Sequence, residues 1–484
     1  MEQVFDIRDF RLCQRGVCNA VMDGRDVFCI MPTGGGKSLT YQLPALLQAG
    51  CTLVISPLLS LISDQVHQLH QLKIEADRIK GGIPEEYRNN IYRRLRGLVN
   101  RHLLSPDEKE IKLLYVTPEL ICRNASFQNI LHELAAHGKI ARIVIDEAHC
   151  VSEMGHDFRE DYSNLKILRT QYPNVPILAL SATCPPKVLA QVTKDLGLRD
   201  IRSPNPHRTL YFASPLYRKN LHYAVLPKPD EKSKAIHVMA QFIMDHHPDN
   251  SGIVYCLRRK DAEDVARELV KVSSGKIKAG YYHAKRSEAE KEMLHTQWRK
   301  GDIKVVCATI AFGLGINKAD VRFVLHYSVN KKSIECYYQE SGRSGRDGKN
   351  SDCILYYRPQ DAMSLFSINE TRKGGRENVL SMITFCEDRE TCRKIQFAQY
   401  FSDSSELAWT SERDDGRECG HCDNCNRSEK EKKKEDLTQE AWKILQVVKS
   451  AGKREAPSMK QLAEGLKETV RLSIQVRRQN MLVL

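Results

Sequence analysis

Residues 31–38 read MPTGGGKS. They follow the short apolar run Val27–Ile30 and precede LTYQLPALLQ, which has the spacing of a helix. Strand, Gly-rich loop, helix is the setting that a phosphate-binding loop requires. Gly34, Gly35 and Gly36 let the backbone turn tightly, so that its N–H groups face an anion. The helix that opens near Lys37 adds its positive dipole end. Lys37 is placed to reach β- and γ-phosphates, and the Ser38 hydroxyl to hold Mg²⁺. The strict pattern has Gly where this chain has Met31.

Working outward, short apolar runs recur at Val27–Ile30, Thr52–Ser56, Leu113–Val116, Ile143–Ile145 and Ile177–Leu180. Continuous apolar strands separated by helical stretches indicate a parallel sheet covered on both faces. Ligands of such sheets bind at the carboxyl ends of the strands, where the Gly-rich loop, Asp146–His149 and Ser181–Thr183 fall. A second series, Gly252–Cys256, Gly280–His283, Lys304–Ala308, Arg322–Tyr327 and Cys353–Tyr357, predicts another α/β lobe without a Gly-rich loop of its own. The expected division is a first lobe over 1–201, a Pro-marked linker over 202–216, a second lobe over 217–360 and a helical, Cys-rich region over 361–427. A charged linker over 428–436 and a helical segment over 437–484 follow.

Composition sets bounds on function. At 484 residues the chain has room for about three domains. Lys and Arg outnumber Asp and Glu by 74 to 61, a net charge of +13, which favours an anionic partner such as nucleic acid. The chain opens MEQVFDIRDF, without the apolar core of a signal peptide, and no window reads as a membrane span. An intracellular chain with reduced thiols is expected, one cluster of its 16 Cys apart.

Asp146 and Glu147 follow the β-branched run Ile143–Ile145. A carboxylate at a strand end beside a phosphate loop can hold Mg²⁺ with Ser38, and its neighbour can orient or deprotonate the attacking water. Adjacent residues of a strand point to opposite faces, so the chain must leave strand geometry there for both acids to serve. In the second lobe Arg343 and Arg346, three apart, share one helix face, and either could meet a γ-phosphate when the lobes close. Such an Arg is worth about 10³-fold in rate. Cys419, Cys422 and Cys425 are spaced by two residues each, and one more thiolate would complete a tetrahedral zinc site.

Taken in order, PTGGGKS, DEAH (Asp146–His149), SAT (Ser181–Thr183), ATIAFGLGINKADVRFV (Ala308–Val324) and YYQESGRSGRDG (Tyr337–Gly348) resemble a superfamily 2 helicase, and the wording is similar to the RecQ family. FRLCQ (Phe10–Gln14) resembles that family's adenine-reading segment, and GHDFR (Gly155–Arg159) its aromatic-rich loop. The resemblance implies two RecA-like parallel-sheet lobes, a helical zinc-binding subdomain, and an ATP-driven 3′-to-5′ DNA helicase of the nucleus that serves repair or recombination. It implies nucleotide contacts from Arg11, Gln14, Thr33, Gly34, Gly35, Gly36, Lys37 and Ser38, and a catalytic set of Lys37, Asp146, Glu147, His149, Gln339, Arg343 and Arg346, with Arg346 as the Arg finger. Mg²⁺ falls to Ser38 and Asp146. His156, Phe158 and Arg159 would sense single-stranded DNA, and tailed or forked duplexes would be the substrates. Cys392 matches the fourth zinc ligand, with Cys386 and His421 as alternatives.

The chain departs from the family wording at Ile7, at Glu153–Met154 and at Asn317. Residues 437–484 resemble the start of a winged-helix domain but are too few to complete one, so a strand-separating hairpin is not expected. A DNA-stimulated translocase, or an annealing protein, is the alternative reading.

Overall fold

The computed structural model describes residues 1–57, 59–152, 160–214, 216–312, 318–329, 333–369, 375–401, 418–428, 431, 436 and 438–450. The first sheet contains β1 (Val27–Ile30), β2 (Cys51–Ile55), β3 (Ala76–Ile79), β4 (Leu113–Val116), β5 (Ile140–Ile145), β6 (Ile177–Ser181) and β7 (Leu210–Ala213), in the order β3-β4-β2-β5-β6-β1-β7. The second contains β8 (Leu221–Pro227), β9 (Ser251–Tyr255), β10 (Ala279–Tyr282), β11 (Val305–Ala308), β12 (Val321–His326) and β13 (Ser351–Tyr357), in the order β10-β11-β9-β12-β13-β8. The pairings in both sheets are parallel.

The apolar runs form these strands because both faces are covered. Along β1, Phe28 and Ile30 enter one core while Val27, Cys29 and Met31 enter the other. On β5, Ile143 and Ile145 likewise face away from Val144. Each fully buried Ile or Val contributes about 1.5–3 kcal/mol, so a shift of register by one residue would exchange two apolar faces rather than expose one. Strand order then decides the chemistry. β5, β6 and β1 are neighbours, with Ile145 opposite Ala179 and Ser181 opposite Ile30. Their carboxyl ends deliver Asp146, Thr183 and the Gly-rich loop to one edge.

Three strands were not expected. β3 reads Ala-Asp-Arg-Ile, half polar, at one edge of its sheet. β7 corrects the linker expected over 202–216: Pro204 and Pro206 mark a turn, after which Leu210–Ala213 re-enters the sheet beside β1. The first lobe therefore extends past residue 201. β8, Leu-His-Tyr-Ala-Val-Leu-Pro, buries Leu221 and Tyr223 and leaves Ala224 to Leu226 half-buried at one edge of the second sheet.

The helical region packs on the second lobe through rings. Tyr337 lies 5.4 Å from Phe385 and 6.0 Å from Phe397, which belong to the helices Gly375–Glu387 and Arg393–Phe401. Residues 427–484 form a separate unit. Its described part includes the helix Thr438–Ser450, with Trp442 and Leu445 exposed. The winged-helix expectation for 437–484 falls, beyond that helix, outside the described residues. Among the described residues no helix is long and apolar enough to cross a membrane.

Candidate nucleotide and zinc sites

The Gly-rich loop turns tightly between β1 and the helix that follows. Gly34 and Gly36 adopt φ of +84° and +85°, the left-handed region that favours glycine. Gly35 donates its N–H to the Pro32 carbonyl at 2.9 Å. A side chain on Gly35 would come within 2.7 Å of Met31 Cγ. Met31 is itself fully buried in the core beneath, so the departure from the strict pattern is a packing residue. Lys37 Nζ donates back to the Met31 carbonyl at 3.2 Å. Ser38 stands at the head of the helix Leu39–Leu47.

Gln14 is buried with its amide turned onto the loop. Its Nε2 donates to the Gly36 carbonyl at 2.9 Å, and its Oε1 accepts from the Arg11 N–H at 2.7 Å. A Cβ on Gly36 would stand 2.4 Å from Gln14 Nε2. In this conformation the amide reads the phosphate loop, while Arg11 is exposed beside it.

The acids separate as anticipated. β5 ends at Ile145, and Glu147 takes φ 50°, ψ 48°, which breaks strand geometry between the two carboxylates. Burial first, and then the adjacent Glu147, push the Asp146 carboxyl up to about 7, while the Lys37 ammonium pulls it back. Among the side chains here, the Lys37 ammonium is the charge that favours the ionised Asp146 carboxyl. Glu147 Oε2 lies 3.4 Å from His149 Nδ1. His149 Nδ1 is 2.9 Å from Ser181 Oγ, which donates to the Thr183 carbonyl at 2.5 Å. Ser181 spends its one proton there, so its oxygen accepts and His149 carries its proton on Nδ1.

The second lobe closes on this edge. Gln339 Nε2 donates to Thr183 Oγ1 at 3.2 Å. A Cβ on Gly342 would lie 3.7 Å from Thr33 Cβ, and one on Gly34 would lie 3.0 Å from Arg346 Cγ. Arg346 is therefore laid directly over the phosphate loop. Burial, then Arg343 and Arg218, lower its guanidinium to about 9. Arg346 is thus a guanidinium buried among other cations over the phosphate loop. Arg343 is buried beside it. Arg218 carries no motif in the sequence, yet its guanidinium donates to the carbonyls of Gly342 at 2.8 Å and Ser344 at 3.0 Å, which fixes the turn that aims Arg346.

Cys392, Cys419, Cys422 and Cys425 bring their sulfurs within 4.8 Å of one another, and none is in a disulfide. Cys422 Sγ lies 3.3 Å from Cys425 Sγ and 3.9 Å from Cys392 Sγ, and Cys419 Sγ lies 3.9 Å from Cys425 Sγ. Four thiolates about 2.3 Å from one Zn²⁺ stand about 3.8 Å apart, so the donor set fits. Hydrogen bonds from Cys419 and Cys422 hold the Cys392 thiol far below its ordinary value. The two alternatives are elsewhere: Cys386 is in the apolar core, and His421 Nε2 meets Lys394 Nζ at 2.7 Å. The spacing did not reveal the brace beneath. Arg393, 1% exposed, donates from Nε and one terminal nitrogen to the two oxygens of Asp423, each at 2.8 Å. Asp423 Oδ2 also accepts from the Val225 N–H on β8 at 3.1 Å, tying the thiolate knuckle to the second sheet. His156, Phe158 and Arg159, as well as Glu153, Met154 and Asn317, lie outside the described residues.

The comparisons with known proteins follow the same partition. Three family models match in succession: DEAD/DEAH box helicase over 11–192, helicase conserved C-terminal domain over 233–348 and RecQ zinc-binding over 359–426. The last contains all four clustered cysteines, and these residues bind zinc, as the first lobe binds ATP with Mg²⁺. The chain is 38% identical to ATP-dependent DNA helicase Q1 of Rattus norvegicus over 452 residues, covering 93% of this chain and 68% of that protein. It is 41% identical to ATP-dependent DNA helicase Q-like 4B of Arabidopsis thaliana over 473 residues, 93% of this chain and 38% of the relative. The chain thus spans well under half of the second relative's length. Among solved structures, the DUF1998 helicase MrfA bound to DNA and AMPPNP superposes with a TM-score of 0.57 at 16% identity, covering 86% of this chain and 60% of that one, which supports the two-lobe fold alone. By its successive family matches and its identity to the Q1 relatives, the chain belongs to the RecQ family of superfamily 2 helicases.

Proposed function

We propose that this chain is an ATP-dependent DNA helicase that moves 3′ to 5′ along single-stranded DNA, separates tailed or forked duplexes, and serves repair or recombination in the nucleus. The observation that carries the coupling is the polar path Glu147–His149–Ser181–Thr183–Gln339, which leads from the hydrolytic acid into the second lobe.

Bound ATP with Mg²⁺ supplies the phosphoanhydride whose cleavage drives the cycle. Asp146 and Ser38 hold the cation side of the site, and Lys37 steadies the terminal phosphates. Glu147 orients the attacking water and accepts its proton. His149, whose Nδ1 proton goes to Ser181, stands 3.4 Å from that carboxylate and links it to the strand end of the first lobe. Arg346 answers the charge that spreads over the leaving oxygens, so hydrolysis requires both lobes. Gln339 and Thr183 then report the state of the first lobe to the second. DNA binding should be dominated by phosphate contacts, salt-sensitive and nearly blind to sequence.

The test is displacement of a strand from a duplex with a 3′ single-stranded tail, beside Lys37→Ala. ATP-dependent displacement lost in the variant supports the helicase. DNA-stimulated hydrolysis without displacement would leave a translocase. Absence of both would leave binding or annealing. A duplex with a 5′ tail tests polarity.

A further inference from the structure

The first lobe holds two thiols that the nucleotide site does not use. Cys13, half-buried, precedes the helix Gln14–Met22, and Cys29 is fully buried on β1. Their sulfurs are 3.8 Å apart. Cys13 Sγ also lies 3.0 Å from the Ser214 hydroxyl, just beyond β7. Packing alone can bring two sulfurs into contact, but it does not require that one of them remain open to solvent. That arrangement places an accessible thiol against an inaccessible one. The hydrogen bond from Cys29 lowers the Cys13 thiol to about 7 against the opposing effect of burial, so it ionises more readily than a free cysteine at neutral pH.

We propose that Cys13 and Cys29 form a redox modification site, closed to a disulfide by a peroxide-class oxidant, and that closing it weakens nucleotide binding through Gln14. The Cys13 thiolate attacks one peroxide oxygen, the O–O bond breaks, and a sulfenic acid and water form. The Cys29 sulfur then attacks Cys13 Sγ, the S–O bond breaks, and a second water leaves. Two thiols lose two electrons and two protons, and one peroxide is reduced to two waters. The S–S distance must shorten to about 2.05 Å, which draws Cys13 toward β1. Gln14 is the next residue, and its amide has no slack against Gly36. The shift therefore reaches the phosphate loop.

The nucleotide consequence rests on the proposed ATPase reading, whereas the modification itself is read by mass and is independent of activity. The zinc-loaded full chain is treated with hydrogen peroxide, free thiols are alkylated, and tryptic peptides are mapped. Cys13 and Cys29 fall in separate tryptic peptides, Leu12–Arg15 and Asp26–Lys37. The expected product is that pair joined, reversed by dithiothreitol and absent in Cys13→Ser. Affinity for a fluorescent ADP should fall by about tenfold on oxidation of the wild type and stay unchanged in oxidised Cys13→Ser. Zinc content, followed in parallel, separates this event from oxidation of the four-thiol cluster. Full alkylation of Cys13 after peroxide treatment would overturn the site. A joined pair with unaltered affinity would overturn its effect on the nucleotide.

Discussion

Gln339 Nε2 and Thr183 Oγ1 meet at 3.2 Å, both side chains buried, and they join two sheets that share no strand. A neutral hydrogen bond of this kind is worth only about 0.5–1.5 kcal/mol. Its importance lies in its position, between the residue that follows Ser181 and Ala182 and the helix that leads to Arg346. Thr183→Val keeps the shape and removes the acceptor. DNA-stimulated turnover should fall about tenfold with nucleotide affinity held within about twofold. Gln339→Ala should match it, and the double variant should be no worse than either. Multiplying losses would show that the two side chains act separately.

Arg346 lies over Gly34 without slack. Arg346→Ala should lower kcat by about 10³-fold while nucleotide binding persists. Arg346→Lys should not restore it, because an ammonium cannot reproduce the planar fork. Full recovery by Lys in steady-state hydrolysis would show that a point charge suffices there, and activity retained by Arg346→Ala would reassign the transition-state charge to Arg343.

Metal content distinguishes the ligand sets. Cys386→Ser should retain about one zinc per chain, and Cys425→Ser should lose it, since three thiolates leave the tetrahedron open. Retention of zinc by Cys425→Ser, read by elemental analysis, would reinstate an alternative ligand. Asp423→Asn should destabilise even the metal-loaded protein, because it strands Arg393 as a buried charge at a cost of about 3–5 kcal/mol. Thermal melts at fixed zinc would reveal it.

Asp352 carries a pH dependence that can be signed in advance. Burial raises its carboxyl, but hydrogen bonds from His222 and His247 outweigh this and hold it far below its ordinary range, with His247 Nε2 at 2.8 Å. A depressed folded value means that the stabilisation is complete above the unfolded value of about 3.9 and is lost as pH falls through the folded one. The Tm gap between wild type and Asp352→Asn should be wide at about pH 5 and shrink below about pH 4. A gap that widens on acidification would reverse the assignment.

The sequence was most legible where one physical requirement acts on contiguous residues. Val27–Ile30 had to be buried on both faces, Gly34 and Gly36 had to turn left-handed, and Glu147 had to leave the strand; each requirement is local and each is met. Requirements that act across space left weaker signals. Arg218 holds the turn before Arg346 from more than a hundred residues away, and Arg393 braces the thiolate knuckle by pairing with Asp423. Nothing in the spacing of an isolated Arg distinguishes such a clamp from a solvated charge. β7 was hidden because prolines mark a change of direction and say nothing about what the chain does after the turn.

That seventh strand has a mechanical consequence. Ser214 N–H donates to the Ile30 carbonyl at 2.8 Å, so the chain that leaves for the second lobe is fastened to the last residue before the phosphate loop's Met31. Only a few residues later Arg218 is bonded to the turn of Arg346. Force on the second lobe is thus carried along a tether a few residues long to the strand that ends at the phosphate loop. Movement of the turn that holds Arg346 is therefore felt, within a few residues of chain, at the strand that leads into the phosphate loop.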